Sequence, residues 1–102
     1  MKKPINKLAV DVEEILLMLR EVTGLKATDI VRGSSKALGH VTTRYAAIRM
    51  LADRGHERIA IAQAFDISKR NVHHAISKAT IHSKSRDIIE LAQREKNLKA
   101  KP

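Results

Sequence analysis

Apolar side chains recur along this chain at intervals of three and four, the period of a helix that turns one face inward. Leu8, Val12, Ile15, Leu16, Leu19 and Val22 form the first such stripe, over roughly residues 6 to 22, and Gly24 followed by Leu25 reads as a left-handed C-terminal cap with its hydrophobic contact. A short helical turn is predicted over Thr28 to Val31, starting at Ala27 or Thr28. The run RGSSKALGH that follows, with its glycines, serines and basic residues, reads as a loop. Thr42 or Thr43 can cap a third helix running to about Arg54, with Ala47, Ile48 and Leu51 inward and Gly55 closing it. A last amphipathic stretch from about Ser85 to Leu98 carries Ile88, Ile89, Leu91 and Ala92. Three fates are open to it: packing on the domain, pairing with another chain, or fraying into the KAKP end. No segment sustains the alternation of a strand, so the expected fold class is all-α.

Residues 57 to 80, ERIAIAQAFDISKRNVHHAISKAT, hold the most specific pattern. Ile61, Ala62, Phe65, Ile67, Val72 and Ala75 fall where the two helices of a helix-turn-helix press on each other and on the core, with Ala62 at the closest crossing. Asp66 occupies the turn position that demands positive φ, a region aspartate enters more readily than most residues with a β-carbon. Ser68 can cap the second helix, whose buried stripe is Val72, Ala75, Ile76 and Ala79. On the opposite face stand Arg70, His73, His74 and Ser77, flanked by Lys69 on one side and by Asn71 and Lys78 on the other. Arginine can bond guanine O6 and N7 in bidentate fashion, asparagine can do the same to adenine N6 and N7, and lysine and serine suit bases or phosphates. An ordinary surface helix would also carry a solvated polar face. The preceding helix in register and the net charge favour the DNA-reading alternative.

At 102 residues the chain has room for one domain: a core over residues 6–82, then a C-terminal helix and basic tail over 83–102. Its formal net charge is +9, unevenly spread: four basic residues balance four acidic ones from Met1 to Leu25, ten face four from Lys26 to Ile81, and six face three from His82 onward. A polyanion is the natural partner of such a surface, because each neutralised phosphate releases condensed counterions. The only aromatic residues are Tyr45 and Phe65, so stacking platforms for single-stranded bases are lacking, as is a row of exposed apolar residues for a membrane. Double-stranded DNA is the expected partner. With no cysteine and five scattered histidines, of which the adjacent His73 and His74 point about 100° apart, neither metal nor cofactor is expected. Asp29, Asp53, Glu57 and Asp66 form no catalytic constellation and no Gly-rich phosphate loop occurs, so the expectation is that the chain is not an enzyme. No apolar run reaches membrane-spanning length, and a soluble, cytoplasmic, nucleoid-associated protein is expected.

The run VTGLKATDIV, the basic loop after it, and RYAAIRMLADRGHERIAIAQAFDISKRNVHHAISKA together resemble the C-terminal DNA-binding domain of the bacterial replication initiator DnaA, over roughly residues 10 to 82. Three features carry the resemblance: threonine-glycine-leucine followed by aspartate-isoleucine, an arginine opening an alanine- and methionine-rich helix, and a helix-turn-helix ending in the pair His74 and Ala75. It implies an all-helical, Trp-repressor-like fold whose recognition helix enters the major groove while the basic loop lies near the minor groove and phosphates. By position, the implied phosphate and minor-groove residues are Arg32, Lys36 and His40 in the loop and Thr42, Thr43 and Arg44 at the start of the next helix. Ser68 and Lys78 join them from the helix-turn-helix. Across Ser68 to Ala75, only Val72, His74 and Ala75 match the family's recognition segment, and the turn before it is one residue shorter. The scaffold therefore carries over, and the target sequence does not.

The resulting expectation is sequence-preferring DNA binding, with Lys69, Arg70, Asn71, His73, His74 and Ser77 reading bases. Replication initiation or its regulation is the expected setting, in a freestanding relative without the family's ATPase domain. Two alternatives stand beside it. One is a small transcriptional repressor; the other is an adaptor whose first and last helices engage a replication-initiation or regulatory protein, with weak DNA binding. His74 has a second reading as a structural histidine between helices, and Arg44, whose place at the helix start suits a phosphate, has one as a solvated or Glu-paired arginine; Arg49 is the weaker phosphate candidate of the two. A monomer would require an asymmetric site and a homodimer a two-fold repeated one; the residues leave this open.

Overall fold

The computed structural model describes residues 7–32, 38–81 and 83–100, and among these there are six helices and no strand. They are α1 (Lys7–Thr23), α2 (Ala27–Arg32), α3 (Leu38–Asp53), α4 (Arg58–Phe65), α5 (Lys69–Ile81) and α6 (Ser83–Ala100). The chain is all-α, as its periodicity predicts. Helix α3 is the centre of the packing: it lies against each of the other five helices. Its Ala46, Ala47, Ile48, Met50 and Leu51 are buried, joined by Ile15, Leu16 and Leu19 of α1, Ile30 of α2 and Ile61 and Phe65 of α4.

The core is unusually rich in alanine at helix contacts. Ala46 and Ala47 of α3, Ala75 and Ala79 of α5 and Ala92 of α6 are all at most 1% exposed. Small side chains at these positions let the helix axes approach closely, and the molecule extends only 22 Å along its shortest axis.

Helix ends follow from the local sequence. Gly55, at φ 91°, closes α3 with paired bonds, Gly55 N–H to Ala52 O and His56 N–H to Leu51 O. The same motif closes α4 without glycine: Asp66 sits at φ 54° and ψ 48°, Asp66 N–H donates to Gln63 O, and Ile67 N–H donates to Ala62 O. The start of α3 differs from expectation. It begins at Leu38, inside the predicted loop, so Thr42 and Thr43 are not its caps; both hydroxyls donate back to Gly39 O within the helix.

Helix α6 packs on the domain, the first of the three fates open to it. It lies against α1, α3 and α5, with Ser85, Ile88 and Ala92 buried, and Ser85 Oγ donates to Thr42 O at 3.0 Å. A polar cluster ties α1 to the α3–α4 junction. Arg54 Nη1 donates to Asp11 Oδ1 at 2.8 Å, Arg54 Nη2 to Glu14 Oε1 at 3.0 Å, and His56 Nε2 to Asp11 Oδ2 at 2.6 Å. Asp11 is 7% exposed, yet its carboxyl is held below the ordinary carboxylate range. The bond from His56 is the largest single cause, and with the bond and charge of Arg54 it outweighs the effect of burial. Burial likewise opposes the charge of Arg54, and its bonds to Glu14 and Asp11 outweigh that and raise its pKa.

Candidate nucleic-acid interface

Helices α4 and α5 are joined by Asp66, Ile67 and Ser68, giving the helix-turn-helix arrangement predicted for residues 57–80. The left-handed Asp66 reverses the chain within this short turn. Ser68 then starts α5: its Oγ accepts the Asn71 N–H at 3.1 Å and its carbonyl the Val72 N–H, so one orphan donor of the first turn is satisfied by a side chain. Val72, Ala75 and Ala79 of α5 are buried and Ile76 is half-buried, which fixes the helix's rotation about its own axis.

That rotation turns a row of polar residues outward. Lys69, Arg70, Asn71, His73, His74, Ser77 and Lys78 are all exposed, and Ser68 with them. Arg70 to Ser77 covers about 10 Å along the helix axis at 1.5 Å per residue, comparable with the roughly 12 Å width of the major groove of B-form DNA. The face is wholly free of acid: α5 contains Lys69, Arg70 and Lys78 and no aspartate or glutamate. Two of these cations, Lys69 and Arg70, stand in the first turn. There the helix dipole is positive and disfavours them by a few tenths of a kcal/mol each. An anion placed at the same end would relieve that repulsion.

Helix α3 flanks this face. The rings of Tyr45 and His74 meet edge-on, with centroids 5.9 Å apart and planes at 83°. His74 therefore has a contact to a neighbouring helix, a ring contact, while remaining exposed. Farther along, Arg49 donates Nη1 to Thr80 Oγ1 and Nε to Asp53 Oδ1, the latter at 3.0 Å, so its acidic partner is an aspartate one turn away. Tyr45, one of only two aromatic residues in the sequence, is the α3 side chain whose ring meets this face. Its spacing of four from Arg49 puts both on one face of α3, and that is the signal that could have found it.

The expected phosphate residues divide. His40 lies in the first turn of α3, half-buried, and not in a loop. Arg44 is half-buried and donates Nε to Ile30 O at 2.8 Å, tying α3 to a carbonyl near the end of α2. Thr42 and Thr43 are each 1% exposed with their hydroxyls bonded inside α3, so neither side chain can reach a phosphate without unfolding the helix start. Their role is in packing, and in Thr42's case also in receiving Ser85 at its carbonyl. Arg32 ends α2, and the placement of its side chain, like the whole of Lys36, lies outside the described residues.

Among the described residues no group of histidine, aspartate or glutamate side chains is placed to hold a metal ion, and no helix is long and apolar enough to cross a membrane. No protein-family model, curated protein or solved structure matches this chain.

Proposed function

We propose that this protein binds double-stranded DNA with a sequence preference, inserting the outer face of α5 into the major groove. The observation that carries the reading is the acid-free, solvent-facing row from Lys69 to Lys78, with cations at the helix end where they are least stable on their own. Arg70, Asn71 and His73 stand at the centre of the row and are assigned to base edges, with Lys69, His74 and Ser77 beside them. Ser68 and Lys78 mark its ends and are assigned to phosphates. Arg44 and His40 on α3 and Arg32 and Lys36 around the segment before it are proposed as further backbone contacts, supported by their charge and by their closeness in the chain to α3. The resemblance to the initiator's C-terminal domain supports a setting in replication initiation or its regulation.

The test is selection of bound oligonucleotides from a random duplex library, followed by titration across salt concentration. A recovered motif and a steep fall of affinity with salt are the expected results. Arg70→Ala should cost about 1 to 3 kcal/mol against the selected site and relax preference at one base pair. An Arg70→Ala variant that lost affinity equally for every sequence would reject the base-reading role. Absence of any retained duplex at low salt would reject DNA binding itself.

A further inference from the structure

Away from α5, helices α1 and α4 border an open groove of about 550 Å³. Leu8, Val12 and Leu16 form its deeper lining on α1, while Ala60 and Ala64 of α4 line it with Ala9. The two polar side chains lining it are Glu13 and Gln63. Five large hydrophobic residues are substantially exposed among those described, and three of them extend this same surface. Val10 and Leu17, 50% and 56% exposed, stand one turn on either side of Glu13, and Ile59, 51% exposed, stands one turn before Gln63. An open apolar groove flanked by exposed apolar side chains marks a partner site.

Charge identifies the partner. Of the four acidic residues of α1, Asp11 and Glu14 are bonded to Arg54, which leaves the exposed Glu13 as the one charged side chain among the described residues lining the groove. A polyanion is disfavoured beside it. A second copy packed α1 on α1 across a two-fold axis would bring Glu13 towards its own counterpart, which is also repulsive. Leu8 to Leu16 spans about 12 Å, the length over which a bound helix places apolar residues at i, i+4 and i+7. The alanines allow such a helix to approach closely. We propose that the α1–α4 groove docks an amphipathic helix of a partner protein, one whose apolar stripe is flanked by lysine or arginine facing Glu13. Such a partner would sit against α4, on a groove to which α5 contributes no lining residue, so it could be held while α5 engages another ligand.

The experiment titrates the isotopically labelled full chain with two synthetic stapled helices. Both carry leucines at i, i+4 and i+7; one is flanked by lysines, the other by glutamates. The lysine peptide should shift the amide signals of Ala9, Glu13, Ala60 and Ala64 and bind roughly tenfold more tightly than its twin, the effect of exchanging one attractive charge pair for a repulsive one. Glu13→Lys, at an exposed position, should reverse that preference, and Ala60→Glu should abolish both complexes. Equal affinity for the twins, shifts confined to other surfaces, or no binding by either would overturn the proposal. So would sedimentation showing a dimer that Ala60→Glu disrupts. DNA retention by the Glu13→Lys variant is measured alongside, so that a failure here is distinct from a failure of the DNA-binding reading.

Discussion

Replacing Asp11 by asparagine tests how firmly the helix-turn-helix is anchored to α1. Asp11 accepts charge-assisted bonds from Arg54 at 2.8 Å and from His56 at 2.6 Å. Bonds involving a charged group contribute about 1.5 to 3 kcal/mol each. Asparagine keeps one acceptor of the same shape, so one bond is lost and the other becomes weaker. Arg54 retains Glu14, and its side chain is 21% exposed, so water takes over part of the missing interaction. The net cost is about 2 kcal/mol at neutral pH, which for a domain of this size lowers the melting temperature by roughly 8 to 16 °C. The carboxyl titrates lower in the folded protein than in the unfolded chain, so its contribution is complete above about pH 4 and disappears as pH falls through the folded value. Urea unfolding of both proteins from neutral to acidic pH reads this directly. The gap between wild type and Asp11→Asn should narrow as the medium becomes more acidic than about pH 4. A gap that kept its size throughout, or was absent at neutral pH, would refute the reasoning.

Three further outcomes are expected. Asp66→Gly should stabilise the protein by up to about 1 kcal/mol in thermal unfolding, because the left-handed backbone at φ 54° is strained for a residue with a β-carbon, and DNA affinity should be unchanged. Ser68→Ala removes the cap of α5 and should cost about 1 kcal/mol in chemical denaturation, with a parallel fall in DNA binding as the first turn frays. Ser85→Ala leaves the buried Thr42 carbonyl without that donor and should cost about 1 to 2 kcal/mol; retention of full stability would show that α6 is not anchored through this bond.

The local features of this fold were readable in the residues. Apolar periods and the helix-turn-helix motif pointed to all six helices, although α3 begins at Leu38, ahead of the expected caps, and Gly24, Gly55 and Asp66 marked three turns that do take positive φ. The outer face of α5 could be read because a helix's rotation is set by its own apolar stripe, and Val72, Ala75 and Ala79 are that stripe. What was hidden depends on partners distant in the chain. Asp11 lies on the inward face beside Leu8 and Ile15, a position whose polarity is itself a clue, but its partners are 43 and 45 residues away and periodicity carries no information at that range. Thr42 and Thr43 misled for the converse reason. Threonine suits a helix cap, yet these two sit one turn inside α3, where their hydroxyls bond the Gly39 carbonyl and their methyl groups are buried. The fate of α6 was open because an amphipathic stretch states that it needs a cover and not which one.

The alanines between the central helices make the tolerance of this fold lopsided. At Ala46, Ala47, Ala75, Ala79 and Ala92 there is almost nothing to remove, so truncation to glycine forfeits little beyond helix propensity, about 1 kcal/mol. Any bulkier substitute must wedge two backbones apart. A saturation library would therefore show an inverted pattern at these sites, with leucine and phenylalanine harming the fold more than serine. In such an interior bulk is the contaminant, and a single added methylene at these seams would disturb the fold more than most changes of size on the surface.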